Sequence, residues 1–182
     1  MIAQKLNTKD TGKANNTALY TTGVAGEPYL TDLERTAIDH EVAQVPYKSA
    51  AVIEALKIVQ QHRGWISDDS VGAIAAYLQM SPAEVDSVAT FYNLIFRKPV
   101  GRHVILLCDS ISCYVMKYGD LYTALQEKLN IKFGETTGDQ CFTLLPNCCL
   151  GCCDHAPALM IDNDLYKDVT VAMLDCILKK YT

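Results

Sequence analysis

His103-Val104-Ile105-Leu106-Leu107-Cys108-Asp109-Ser110-Ile111-Ser112-Cys113 is a short apolar strand that ends at a cysteine and opens into a C-x₄-C loop. Downstream the arrangement repeats. Phe142-Thr143-Leu144-Leu145 reads as a second strand, ending in Pro146 before Cys148-Cys149-Leu150-Gly151-Cys152-Cys153. Leu121, Leu125 and Leu129 mark a helix between the two. Ala158-Leu159-Met160-Ile161 reads as a third strand, and Asp162-Asn163-Asp164 as a turn into a short return strand around Leu165 and Tyr166. A last helix carries Val171, Leu174, Ile177 and Leu178. The order strand, helix, strand, strand, short strand, helix predicts a small α/β domain with a mixed sheet. Both cysteine clusters follow strand ends, so their loops are expected side by side at one edge of the sheet, as a four-ligand site requires.

Pro99-Val100-Gly101 separates this pattern from a different one upstream. Residues 31–97 read as four short helices in a small bundle. Thr31 with Glu34 three residues on suggests a capping box. Ser49 precedes the face Ala51, Val52, Ala55, Leu56 and Val59, and Gly64 closes that helix. Ser67 is placed to cap a third helix, with Asp68 and Asp69 favouring its N-terminal dipole. Ser81-Pro82-Ala83-Glu84 combines a cap, a proline at the first helical position and a glutamate at the third; Val85, Val88, Ala89, Tyr92 and Ile95 then line one face. Trp65 sits at a helix–helix junction and is expected to anchor the bundle core. Residues 1–30 are polar, show no apolar period and read as a flexible arm. The organisation is therefore an arm over 1–30, a helical bundle over 31–97 and an α/β domain over 98–182.

Composition bounds the chemistry. Of 182 residues, 49% are hydrophobic, enough for a real core, and the net charge of −5 with no basic run makes nucleic acid an unfavoured partner. No apolar run approaches the roughly 20 residues that cross a bilayer. Met1-Ile2-Ala3-Gln4-Lys5-Leu6-Asn7 has no apolar signal-peptide core, so a reducing compartment is expected, and the cysteines read as ligands rather than disulfides. Six of the eight cysteines fall in the two clusters, whereas cysteines that fill a core are scattered singly. Cys141 and Cys176, on a predicted strand and helix, read as such core residues.

A thiolate-rich set with little nearby histidine points to iron–sulfur or zinc. Zinc sites favour C-x₂-C knuckles, and a thioredoxin-type redox pair is also C-x₂-C. The C-x₄-C spacing instead occurs in plant-type [2Fe–2S] ferredoxins, although the remaining ligands of that fold do not follow here. A [2Fe–2S] rhomb takes two thiolates on each iron, which two separate pairs supply. Spacing alone favours iron–sulfur and keeps zinc and redox-active cysteines as alternatives. It also leaves open whether Cys148 with Cys152, or Cys149 with Cys152, forms the second pair.

Several ordered motifs resemble one family. They are Gly64-Trp65-Ile66, Val88-Ala89-Thr90-Phe91-Tyr92, Arg97-Lys98-Pro99-Val100-Gly101, the Cys108–Cys113 pair, Gly134-Glu135-Thr136-Thr137, and Cys149-Leu150-Gly151-Cys152-Cys153 followed by Ala156-Pro157. Over residues 31–182 the chain is similar to the small iron–sulfur subunit of respiratory complex I, the NADH:quinone oxidoreductase. The resemblance implies a helical bundle followed by a thioredoxin-like domain holding one [2Fe–2S] cluster. Its C-x₄-C and C-L-G-x-C pattern falls on Cys108, Cys113, Cys149 and Cys153, leaving Cys148 and Cys152 as extra thiols. It implies a one-electron carrier with no catalytic residue of its own. FMN and NADH would be bound by a partner subunit, with further iron–sulfur subunits in the peripheral arm and a place on the cytoplasmic face of the inner membrane, or the matrix side in a mitochondrion. In keeping with this, the chain has no G-x-G-x-x-G fingerprint and no P-loop. Related subunits serve NAD-linked hydrogenases and formate dehydrogenases, which stand as the alternative assembly. A non-catalytic zinc-binding adaptor is the alternative of another class.

Near the cysteines, Asp109 and Asp154 are expected to face water. His155 is expected to stay out of the ligand set, at the surface or behind it, and Tyr114 and Tyr118 to cover the cluster, meet a partner or pack in the core. Backbone N–H groups around Gly151 are placed to donate to sulfur.

Overall fold

Thr31 and Glu34 cap the first helix reciprocally. The Glu34 N–H donates to Thr31 Oγ1 at 3.2 Å, and the Thr31 N–H donates to the Glu34 carboxylate at 2.8 Å. The computed structural model describes residues 29–182, in which the expected four helices follow in order. They are α1 (Asp32–Val42), α2 (Val52–Arg63), α3 (Asp68–Leu78) and α4 (Pro82–Phe91). Ser67 and Ser81 cap α3 and α4 as their sequences imply, the second with a full capping box through Glu84. Gly64 ends α2 in the left-handed region that a helix C-terminus favours.

Three details differ. The expected face begins ahead of α2: Ala51 lies in a 3₁₀ turn, Lys48–Ala51, that runs straight into the helix. The face on α4 stops early, because Tyr92 turns extended and half-exposed, so Ile95 reaches the core from outside the helix. Of the reading of 1–30 as an arm, residues 1–28 lie outside the described residues; Leu30 is buried in the bundle core.

Ile38, Leu56, Val59, Ile74, Leu78 and Val85 fill the centre of that core. Beside them lies a buried ion pair, in which Arg63 Nε and Nη2 each donate at 2.7 Å to the two oxygens of Glu34. Nη2 also donates to the Tyr29 carbonyl at 2.9 Å. Burial pushes the Glu34 carboxyl up, but Arg63 and the Thr31 N–H outweigh it and hold it below its ordinary value.

The chain then crosses to the sheet. Gln60 braces this crossing: its side-chain amide donates to the Leu94 carbonyl at 2.8 Å, and its oxygen accepts from the Phe96 N–H at 2.6 Å. Arg97 reaches back to Asp86 at 2.9 Å, to Asp68 at 2.7 Å and to the Ile66 carbonyl. At Gly101 a Cβ would stand 3.0–3.1 Å from the Gln140 and Cys141 backbone. The close approach therefore favours glycine, whose N–H donates to Thr143 Oγ1 at 2.6 Å.

The sheet has four strands in the order β2-β1-β3-β4. Strand β1 (His103–Cys108) runs parallel to β2 (Phe142–Asn147) and antiparallel to β3 (Leu159–Ile161), which pairs antiparallel with β4 (Asp164–Tyr166). The mixed sheet and the preceding helices bear out the expected class. Pro146 lies within β2 rather than ending it, which an edge strand tolerates because its missing N–H need not pair. Alternation on β1 sends Ile105 and Leu107 to one face. There Leu121 and Leu125 of α6 (Tyr118–Leu129) and Leu174 and Ile177 of α7 (Leu174–Leu178) cover them. Val104 and Leu106 face the other way and meet Phe96 and Trp65. Trp65 thus packs between the helices and the sheet, not in the bundle core, because α2 ends at Arg63, two residues before it, and the chain turns at Gly64. Cys141 is buried as expected. Cys176 is exposed, a correction: α7 is short, its buried positions are Leu174, Ile177 and Leu178, and Cys176 falls on its outer side.

Candidate metal centre

The parallel pairing of β1 and β2 sets Cys108 opposite Asn147, so the two cysteine loops leave neighbouring strand ends. The backbone then joins them: the Asp109 N–H donates to the Asn147 carbonyl at 3.0 Å, and the Cys108 N–H to the Ala158 carbonyl at 3.1 Å. The first loop continues into α5 (Ile111–Val115), which carries Cys113 inward. Cys108 and Cys113 are both buried, against Ala156, Tyr118 and Leu150.

The second loop turns at Gly151, whose φ of +75° lies in the region that favours glycine. That turn points the Gly151 N–H at Cys149 Sγ, 3.3 Å away, and brings Cys149 Sγ to 3.7 Å from Cys153 Sγ. Both thiols are exposed. The 3₁₀ turn Cys153–His155 follows, held by the His155 N–H donating to the Cys152 carbonyl at 2.9 Å. Cys152 itself is buried, which pushes its thiol up, and Cys148 is exposed.

Burial also pushes the Cys108 thiol up, but the Ser110 hydroxyl and N–H, the Cys113 thiol and the Leu150 N–H outweigh it and hold Cys108 below an ordinary thiol. The Ser110 hydroxyl stands 3.5 Å from this sulfur. Cys113 is pushed up to about 11, first by burial and then by Cys108 beside it. The two sulfurs of the first pair thus sit in unequal surroundings. Leu150 of the second loop packs against Cys108 and Cys113, so the two thiol pairs are neighbours.

The donor set suits a soft, thiolate-bound metal group. Among the described residues, no three His, Cys, Asp or Glu side chains converge on one point that could hold a single ion. Two pairs, each of two sulfurs, are what the two irons of a [2Fe–2S] rhomb take.

The neighbours resolve as follows. His155 Nδ1 pairs with Asp168 at 2.9 Å and Nε2 with Asp154 at 3.5 Å, so both ring nitrogens face carboxylates. Asp109 and Asp154 are exposed. Tyr118 is half-buried against the Cys108–Cys113 pair, while Tyr114 is exposed on α5 beside Ile111, Val115 and Met116. Sequence reasoning missed Ser110, Leu150 and Asn147. Ser110 had a local signal, a hydroxyl two residues from a candidate ligand. Asn147 had none, since its partners lie far away in the chain.

Comparison with known proteins shows which chains this one is similar to. The thioredoxin-like [2Fe–2S] ferredoxin family matches residues 38–182. The chain is 50% identical over 152 residues to the NADH-quinone oxidoreductase subunit designated E in Escherichia coli, covering 84% of this chain and 92% of that one. It is 51% identical over 140 residues to the subunit of the same name in Pseudomonas aeruginosa, covering 77% and 84%. Among solved structures, an NAD⁺-reducing [NiFe]-hydrogenase in the H₂-reduced state superposes with a TM-score of 0.62 at 22% identity, over 71% of this chain and 22% of that one. The chain therefore spans about a fifth of that hydrogenase chain, and the likeness is one of fold.

Proposed function

The chain belongs to the thioredoxin-like [2Fe–2S] ferredoxin family, and on that premise we propose that it is the small electron-carrying iron–sulfur subunit of an NADH–quinone oxidoreductase. Its cofactor is one [2Fe–2S] cluster, for which Cys108, Cys113, Cys149 and Cys153 would be the ligands. The observation that carries this reading is the pair of thiol pairs on adjacent parallel strand ends, with Leu150 of the second loop packed against Cys108 and Cys113.

When bound, such a cluster accepts and releases one electron at a time. The protein's own part is to hold and tune the sulfurs. The Ser110 hydroxyl stands beside Cys108 and the Gly151 N–H beside Cys149, and N–H groups on sulfur stabilise added negative charge. Cys108 and Cys113 lie inside, whereas Cys149 and Cys153 open toward solvent, which suits exchange with a group on another subunit.

The chain works as part of a multisubunit oxidoreductase. We assign FMN and NADH to a partner subunit, with other iron–sulfur subunits beyond it, because hydride chemistry needs a cofactor that this sequence has no fingerprint for. No described helix is long and apolar enough to cross a membrane, which suits a peripheral position on the cytoplasmic or matrix side of the complex. Half-identity along nearly the whole length of the relatives favours the quinone-linked complex over a hydrogenase or formate dehydrogenase. Separate cores in the helices and under the sheet support treating 31–97 and 98–182 as two domains.

Chemical analysis of the anaerobically purified chain tests the reading. Two irons and two inorganic sulfides per chain are expected, with the red-brown colour of the cluster. Stoichiometric zinc in a colourless protein from iron-replete cells overturns it in favour of a structural adaptor.

A further inference from the structure

We propose that Asn93 and Asn147 form a positioning bridge through which the helical half holds the second cysteine loop in the geometry that binds the cluster. This deepens the four-thiol reading and rests on it. Asn147 is the last residue of β2, it is buried, and Cys148 follows it directly. Its main-chain carbonyl accepts from the Asp109 N–H at 3.0 Å, which ties it to the loop after Cys108. Its side-chain oxygen accepts from the Asn93 side-chain amide, 54 residues earlier in the chain. One residue therefore touches both ligand loops and the stretch that leaves α4.

That stretch is itself braced. The Gln60 bonds to Leu94 and Phe96 and the Ile66 N–H on the Phe96 carbonyl at 2.8 Å hold both sides of the crossing. Asn93 thus hangs from a fixed support. The loop it steadies is mostly exposed: Cys148, Cys149, Gly151 and Cys153 face solvent, Leu150 is half-buried, and Cys152 alone is buried. A segment of that kind is ordered by its hydrogen bonds and opens locally when they are lost. Removing the Asn93 amide also leaves a buried Asn147 oxygen without its donor, which costs more than the bond itself is worth. Asn93 and Asn147 touch no iron in this arrangement. They act through Cys149 and Cys153.

Asn93→Ala, Asn147→Ala and the double variant, made in the full chain, test the bridge. Each single change should speed loss of iron to a chelator by about tenfold, the scale of one buried hydrogen bond. Each should also broaden the EPR signal of the reduced cluster, which a merely structural role remote from the metal would not do. The double variant should be no faster than either single, because the two residues act as one unit. Amide exchange should quicken in 148–153 and stay unchanged in α2. Parental iron release and exchange in both single variants, or single effects that multiply in the double, overturns the bridge. Failure of the four-thiol reading would be seen separately, as a parent chain without two irons and two sulfides. Amide exchange at 148–153 decides the bridge in that case as well.

Discussion

Cys149 and Cys153 stand 3.7 Å apart because Gly151 adopts a conformation open to glycine, while Cys152 between them turns inward. Adjacent cysteines in one loop thus receive different environments. Cys149→Ser or Cys153→Ser should abolish the cluster or alter its EPR signal, since a serine oxygen changes the ligand field of its iron. Cys148→Ser and Cys152→Ser should leave the spectrum and iron content nearly unchanged. Loss of cluster on changing Cys148 or Cys152, with Cys149→Ser harmless, would show that the second pair is another one. A second prediction concerns Gly151. Alanine there must hold a left-handed backbone, at a cost of about 1–2 kcal/mol, so iron retention should weaken although a Cβ meets nothing within 4 Å. Retention equal to the parent would mean that the turn does not depend on this residue's freedom.

The helices show which local signals survive folding. Three N-caps lie where serine, threonine and glutamate are spaced for them, because a cap is a contact between residues three apart and tertiary structure has little to change. Glu34 also does what its neighbours could not announce, pairing with Arg63 inside the bundle. Glu34→Gln should destabilise the helical half by about 3–5 kcal/mol at neutral pH, because it leaves a buried guanidinium without its counter-charge. Arg63 and the Thr31 N–H hold the folded Glu34 carboxyl below its ordinary value. Its stabilising contribution is therefore complete above the unfolded value and is lost as pH falls through the folded one. Denaturation curves of parent and variant should accordingly converge in acid. A gap that stays constant from neutral pH to below pH 4 would contradict this role.

In the whole molecule the sheet is packed between two layers, α6 with α7 on one side and the Trp65–Phe96 contact with the helices on the other. The thiol loops emerge at one end of it, beside the exposed apolar residues Ile111, Tyr114, Val115 and Met116. Under the proposed function, hydride is handled by another subunit of the complex. The isolated chain should not oxidise NADH. Co-expression with a flavin-binding subunit of the same complex should yield a stable heterodimer that passes electrons from NADH to ferricyanide. NADH oxidation by the flavin-free chain would refute this division of labour.

The sequence by itself determined the order of elements, the caps, the change of period at Pro99-Val100-Gly101 and the two cysteine clusters at strand ends. Each of these is written within a few residues, as spacing, periodicity or a turn-forming residue. Tertiary structure alone decided that Trp65 packs against the sheet, that Cys176 faces outward and that Tyr92 leaves the helical face. It also decided which sulfurs meet, and that Leu150, Asn147 and Asn93 serve the site. Those outcomes depend on where separate segments cross. A hydrogen bond between residues 54 positions apart leaves no local pattern, and burial on a short helix follows from what packs on it. The ligand loops were legible because a metal group demands a chemical type at close spacing, whereas the residues that hold those loops in place need only a donor or an acceptor at the right point in space.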